Sequence, residues 1–180
     1  MLIYGTILFD GKLVTRDLHK AAHYFKQAGK RGHSSSEMLY GYMLEKGLGV
    51  ENDLTKAATH YRQSAELGNL SGHFKYGLCL DKGQGVKQSR VGATGHFKAA
   101  AEKGHALSCY HYGYALLKGR GLSERDQKLG IQYIRQAADR GVASAQHLYG
   151  YLLLNGKCVE KDEKKKQLRT LRRQRTIIIC

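Results

Sequence analysis

Apolar side chains along this chain recur at helical rather than strand spacing. Between Ser34 and Lys46, Met38 pairs with Tyr42 and Leu39 with Met43, four residues apart, which places each pair on one face of an α-helix. Gly47-Leu48-Gly49-Val50 follows, and glycine just past a helix supplies the left-handed turn that ends it. After the polar Glu51-Asn52-Asp53, a second helix is predicted from Leu54 to Leu67, with Ala57, Ala58, Tyr61, Ser64 and Ala65 as its apolar stripe. Gly68 closes the unit.

The unit then returns. Gly5, Gly41, Gly77, Gly113 and Gly150 are spaced 36, 36, 36 and 37 residues apart, and Gly11, Gly47, Gly83, Gly119 and Gly156 keep the same intervals. Gly32, Gly68, Gly104 and Gly141 form a third series. A period of this length means stacked supersecondary units. The pattern predicts an all-α solenoid of about four helix-turn-helix repeats of 36–37 residues, over residues 1–159. The extra residue of the longer repeat falls in Ser123-Glu124-Arg125, a loop where an insertion disturbs no packing.

Two positions within the unit have clear jobs. Asp17, Asp53, Ser89 and Asp126 share one repeat position. A catalytic carboxylate would not alternate with serine, whereas both residues cap helix N-termini. Gly41 and its copies fall inside the first helix, where glycine costs about 1 kcal/mol against alanine. That cost is offset if the partner helix approaches closely. Tyr61, Phe97 and Ile134 are expected to fill the gaps between helix pairs.

The chain enters the pattern at once, Met1-Leu2-Ile3-Tyr4-Gly5 standing where Met38-Leu39-Tyr40-Gly41 stands one period later. It is therefore expected to be part of a longer array. At the other end, residues 160–180 form a basic tail in place of a last second helix, with eight Lys/Arg against three acids.

Composition refines this picture. The absence of proline suits an all-helical chain with short turns. The net charge of +15 favours acidic partners. Cys79, Cys109, Cys158 and Cys180 show no pairing rhythm and no CxxC, so reduced thiols are expected. No signal peptide and no bilayer-length apolar run is visible, and a cytoplasmic location is expected.

Candidate chemistry is sparse. No G-x-S-x-G, HExxH or P-loop lysine motif occurs. His19 and His23, and His105 and Cys109, have metal-compatible i, i+4 spacing but lack a third ligand in sequence. No catalytic residue, metal or cofactor is expected, and no small-molecule substrate. His60 and His96 share one repeat position and read as structural.

Gly41, Gly47, Gly49, Val50, Asp53, Lys56, Ala57, Tyr61, Ala65 and Gly68 match in order the pattern of the Sel-1-like repeat, a relative of the tetratricopeptide repeat. The chain resembles that family over residues 1 to about 159. It departs in carrying tyrosine before the internal glycine (Tyr4, Tyr40, Tyr76, Tyr112, Tyr149) and leucine after it (Leu8, Leu44, Leu80, Leu116, Leu153), which looks like swapped bulk between core positions. The resemblance implies a right-handed superhelix with a concave face, and a scaffold or adaptor role. It also leaves open association with an endoplasmic-reticulum complex. A cysteine-rich branch linked to β-lactam hydrolysis carries a cysteine pair in each repeat, and the first two repeats here have none.

By analogy with tetratricopeptide repeats, positions three before and one after the internal glycine face the groove. They read Met38 and Tyr42, Phe74 and Leu78, Tyr110 and Tyr114, His147 and Tyr151. This aromatic-rich ladder either forms a docking groove for a protein segment, acidic or amphipathic, with Lys75, Lys82 and Lys118 beside it, or packs between adjacent repeats. The alternative partners are nucleic acid or anionic lipid, reached through the positive charge and the tail.

Overall fold

The computed structural model describes residues 2–156. Among them are nine helices and no strand: α1 (Leu2–Asp10), α2 (Leu18–Lys30), α3 (Ser34–Lys46), α4 (Leu54–Glu66), α5 (Leu70–Lys82), α6 (Arg90–Glu102), α7 (Ala106–Lys118), α8 (Gln127–Asp139) and α9 (Ala143–Leu154). They pack as successive antiparallel pairs, each helix against the next, so the chain is an all-α solenoid. In mid-array α3 also touches α5, and no second helix makes a comparable contact with the next second helix. The first helices of the second and third repeats thus approach each other directly.

The shared polar position caps every second helix. Asp17, Asp53, Ser89 and Asp126 accept from the backbone N–H three residues on, at 2.9 to 3.1 Å. Asp17, Asp53 and Ser89 also donate their own N–H to Leu8, Leu44 and Leu80 of the first helix. One residue thus ties both helices of a pair. Asp126, in the longer turn, makes no equivalent bond.

Gly5, Gly41, Gly77 and Gly113 each seat one large side chain of the partner helix. A Cβ on Gly41 would stand 3.0 Å from the Tyr61 ring, and one on Gly77 2.7 Å from Phe97. At Gly113 the neighbours are Ile134 and the Gly130 carbonyl. Tyr61, Phe97 and Ile134 therefore do not fill gaps between pairs, as the sequence suggested. They occupy the slot that the missing side chain leaves within a pair, because a ring needs that space for the two axes to approach.

The second turn glycine does a job that sequence reading assigned only to turning. Gly49, Gly85 and Gly121 have φ of +65°, +70° and +67°. Each presses on the first residue of the preceding pair's second helix: Gly49 on Leu18, Gly85 on Leu54 and Gly121 on Arg90. A side chain there would collide with backbone. These contacts set the spacing between repeats. In the first repeat Leu13 holds this position and is exposed.

The tyrosine before the internal glycine has a specific partner. Tyr4 meets Tyr24, Tyr40 meets His60, Tyr76 meets His96 and Tyr112 meets Tyr133, all edge-on with centroids 4.8 to 5.1 Å apart. Edge-to-face contact suits the ring quadrupole. It explains why a ring replaces leucine at this position, while Leu8, Leu44, Leu80 and Leu116 are buried as the apolar fill.

Candidate functional site

The predicted ladder lies on the first helices, α3, α5, α7 and α9, and its members differ in burial. Met38 and Tyr42 are half-buried against the core formed by the first two pairs. Phe74, Leu78 and Tyr110 are half-buried against the second core. Phe74 is the most engaged, with Phe97, His105 and His111 around its ring at 5.4 to 6.1 Å. Tyr114 is half-buried with its ring under two cations, Lys118 at 6.0 Å and Arg120 at 5.4 Å. His147 is exposed and Tyr151 is 54% exposed. Most of the ladder thus contributes to packing with one side and faces outward with the other.

The lysines beside it are not equivalent. Lys75 pairs with Glu45 at 3.1 Å and lies over the Tyr42 and Tyr61 rings. Lys46 pairs with the same carboxylate at 2.9 Å, and the Tyr61 hydroxyl donates to it at 2.5 Å. Burial pushes the Glu45 carboxyl up, but the Tyr61, Lys46 and Lys75 hydrogen bonds outweigh it and hold it down at about 2. Its contribution to stability is present above the ordinary carboxylate range and is lost only as pH falls toward about 2. Among the described residues, Lys82 and Lys118 have no acidic partner. Among the described residues, the free positive charge beside the ladder therefore lies on α5, α7 and the turn after α7.

Sequence reading missed Glu45, Asp81, Arg90, His111 and Arg120. Glu45 and Lys75 are 30 residues apart, and their contact crosses a repeat boundary. The signal was the charged position that Glu45 and Asp81 share.

Histidines cluster around α5, α6 and α7. His73 and His96 face each other with Nδ1 atoms 3.0 Å apart, so one nitrogen must donate and the other accept. The His105 Nδ1 accepts from the Ser108 N–H at the start of α7, which requires a neutral ring. His111 packs among Phe74, Phe97 and Tyr110. Burial pushes all four imidazoles below their ordinary value of 6.5. Lys103 pushes His73 further down and the His73 ring does so to His96, while Glu66 raises His96. At His111, Asp81 acts upward and Lys82 downward. A base with a depressed folded pKa stabilises fully above its unfolded value, and this is lost as pH falls below it. Thermal unfolding is expected to drop by about 3–6 °C between pH 7.5 and 5.0. Calorimetry should show a smaller drop in His111→Phe.

Cys79 and Cys109 are buried free thiols. Burial pushes the Cys79 thiol up to about 11 and that of Cys109 in the same direction, which removes them as nucleophiles at neutral pH. Among the described residues no three His, Cys, Asp or Glu side chains converge as metal ligands would. Nor is any helix there long and apolar enough to cross a membrane. Cys158, Cys180 and the basic tail lie outside the described residues.

The same architecture occurs in solved structures. Protein c5321, a protective antigen present in uropathogenic Escherichia coli strains, displays an SLR fold and is 28% identical, with a TM-score of 0.81 over 88% of this chain and 34% of that one. A Sel1 repeat protein from Oxalobacter formigenes is 23% identical, with a TM-score of 0.78 over 92% of this chain and 66% of that one. Helicobacter pylori cysteine rich protein B is 22% identical, with a TM-score of 0.58 over 77% of this chain and 98% of that one. This chain spans about a third of the length of c5321 and 66% of the Oxalobacter protein. No curated protein matches it in sequence. The Sel1 repeat pattern matches residues 1–33, 34–69, 70–105, 106–142 and 143–165. Five consecutive matches leave no gap between residues 1 and 165, and the chain belongs to the Sel1 repeat family.

Proposed function

We propose that this chain is a non-enzymatic scaffold that holds a partner protein against the inner face of its first helices. Sel1 repeats are in general protein–protein interaction modules. The observation that carries the assignment here is the half-buried ladder Met38, Tyr42, Phe74, Leu78, Tyr110 and Tyr114, which continues into the exposed His147 and Tyr151. Its inward side is fixed by core packing, so its outward side is presented without further ordering, which lowers the cost of binding. Tyrosine offers wide contact area with a polar tip. An amphipathic or acidic segment fits such a face flanked by Lys82, Lys118 and Arg120.

Site-specific photo-cross-linking in the native cell tests this. Benzoylphenylalanine at Tyr42, Tyr110 or Tyr151 should give discrete protein adducts, and the same probe at Arg62 or Lys98 on the second helices should not. Adducts confined to the second-helix positions would overturn the proposal. Adducts to nucleic acid alone would favour a nucleic-acid surface instead. In that case binding would fall steeply with salt as counterions are released.

A further inference from the structure

One crevice between adjacent pairs occurs twice in mid-array, and its two copies are filled differently. The first copy lies among α4, α5 and the end of α3, and encloses about 60 Å³. The second lies one period on, among α6, α7 and the end of α5, and encloses about 160 Å³. Position by position, Glu45 becomes Asp81, Leu54 becomes Arg90, Tyr61 becomes Phe97, Lys75 becomes His111, Leu78 becomes Tyr114 and Gln84 becomes Arg120.

These exchanges act in one direction. In the first copy the crevice is closed from within, because Lys75 and the Tyr61 hydroxyl both reach the Glu45 carboxylate. In the second, Phe97 has no hydroxyl and His111 is shorter than lysine. Asp81 is one methylene shorter than glutamate and forms no ion pair among the described residues. The internal plug is gone, and two guanidinium groups line the walls where leucine and glutamine stood. Arg90 and Arg120 are exposed and have no ion pair among the described residues, and Lys118 and Arg120 both lie over the Tyr114 ring. Lys82 and Lys118 add charge at the rim, so four cations face the single acid Asp81. The crevice opens beside Tyr110 and Tyr114, two members of the ladder.

We propose that this second crevice receives an aspartate or glutamate side chain of an acidic peptide segment, with Arg90 and Arg120 as its counter-charges and Tyr114 as the wall it passes. Unpaired guanidinium groups in a half-enclosed site form charge-assisted, bidentate bonds to a carboxylate. The assignment rests on the groove proposed above and fixes where its partner's charge is read. Asp81 also lines the crevice, and in the proposed complex it accepts from the partner's backbone N–H groups.

The test uses a fluorescein-labelled hexaglutamate peptide and fluorescence anisotropy with the full chain. Arg90→Gln/Arg120→Gln should weaken binding at least tenfold, and Lys30→Gln/Lys98→Gln, with the same loss of charge, at most twofold. The sharper variant is Asp81→Glu/Phe97→Tyr/His111→Lys, which rebuilds the internal plug of the first copy. It adds positive charge to the protein, yet should also weaken binding about tenfold. Unchanged or tighter binding in a plugged variant that circular dichroism shows to be folded would overturn the proposal. If that variant does not fold, the exposed arginine pair decides: equal losses in the two glutamine pairs would overturn it. Preference for polyuridine or anionic vesicles with the same arginine dependence would also overturn it. Groove cross-links that persist in Arg90→Gln/Arg120→Gln would refute this inference and leave the groove intact, whereas loss of all first-helix cross-links in the wild type would refute the groove itself.

Discussion

Gly85→Ala is expected to destabilise the array by about 3 kcal/mol or more and to split its unfolding into two steps. Two causes add at this position. The backbone has φ of +70°, which an alanine side chain resists. The new Cβ would also overlap the carbonyl of Leu54 at the start of α4, and that carbonyl belongs to rigid helix rather than a side chain that can turn away. Relief requires the turn and the start of α4 to separate. In a repeat array, stability is a sum of unit terms and neighbour terms, so a lesion in one interface lowers the coupling between two blocks. Calorimetry should resolve a second transition in Gly85→Ala that the wild type lacks. A single transition shifted by less than 2 °C would show that the turn relaxes freely. Gly68→Ala is the contrast. Its φ is +81° but no atom stands within 4 Å of the added Cβ, so only the conformational cost of about 1 kcal/mol applies.

Tyr61→Ala should cost about 3–5 kcal/mol. Tyr61 is 1% exposed, its ring fills the slot over Gly41, and its hydroxyl is bonded to Glu45. Tyr61→Phe separates these contributions. It keeps the ring and removes one bond to a carboxylate, and should cost about 1.5–3 kcal/mol. Gly41→Ala supplies the decisive comparison. In the wild type its Cβ meets the Tyr61 ring at 3.0 Å and should destabilise. In Tyr61→Ala the ring is absent and the Ala57 carbonyl, 3.2 Å from the added Cβ, is the close neighbour that remains, so alanine's better helix propensity of about 1 kcal/mol should offset much of the cost. The Gly41→Ala penalty is therefore expected to shrink by about 1 kcal/mol or more in the Tyr61→Ala background, a coupling that a double-mutant cycle measures directly. An equal penalty in both would mean that the glycine is there for the Ala57 carbonyl and not for the ring.

These two cases show what could be read without coordinates. Gly47 past a helix and Asp53 before one follow from backbone rules that act within a few residues, and both were legible. The seating of Gly85 on Leu54 was not, because it joins residues 31 positions apart and turning alone already accounts for glycine there. The ladder was legible as a period, since Met38, Phe74 and Tyr110 keep one register. Its division into packed and presented sides depends on neighbours across repeat boundaries. The charge beside the ladder shows the limit most clearly. Lys75, Lys82 and Lys118 look alike in sequence, yet Glu45 neutralises the first and no acid among the described residues neutralises the others. The crevice beside Tyr114 becomes visible only when positions 45, 61 and 75 are compared with 81, 97 and 111 as a set in space.

The longer turn between α7 and α8 has one further consequence. Gly121 rests on Arg90 just upstream of the added residue, and the extra length is taken up at Ser123, Glu124 and Arg125, which are exposed. The bond that Asp53 and Ser89 make back to the first helix is absent at Asp126, yet Asp126 still caps α8. The added residue thus lies beyond the contact that joins one repeat to the next. Downstream of that contact, chain length is a free variable, which makes this edge the natural place to graft a reporter loop or an affinity tag.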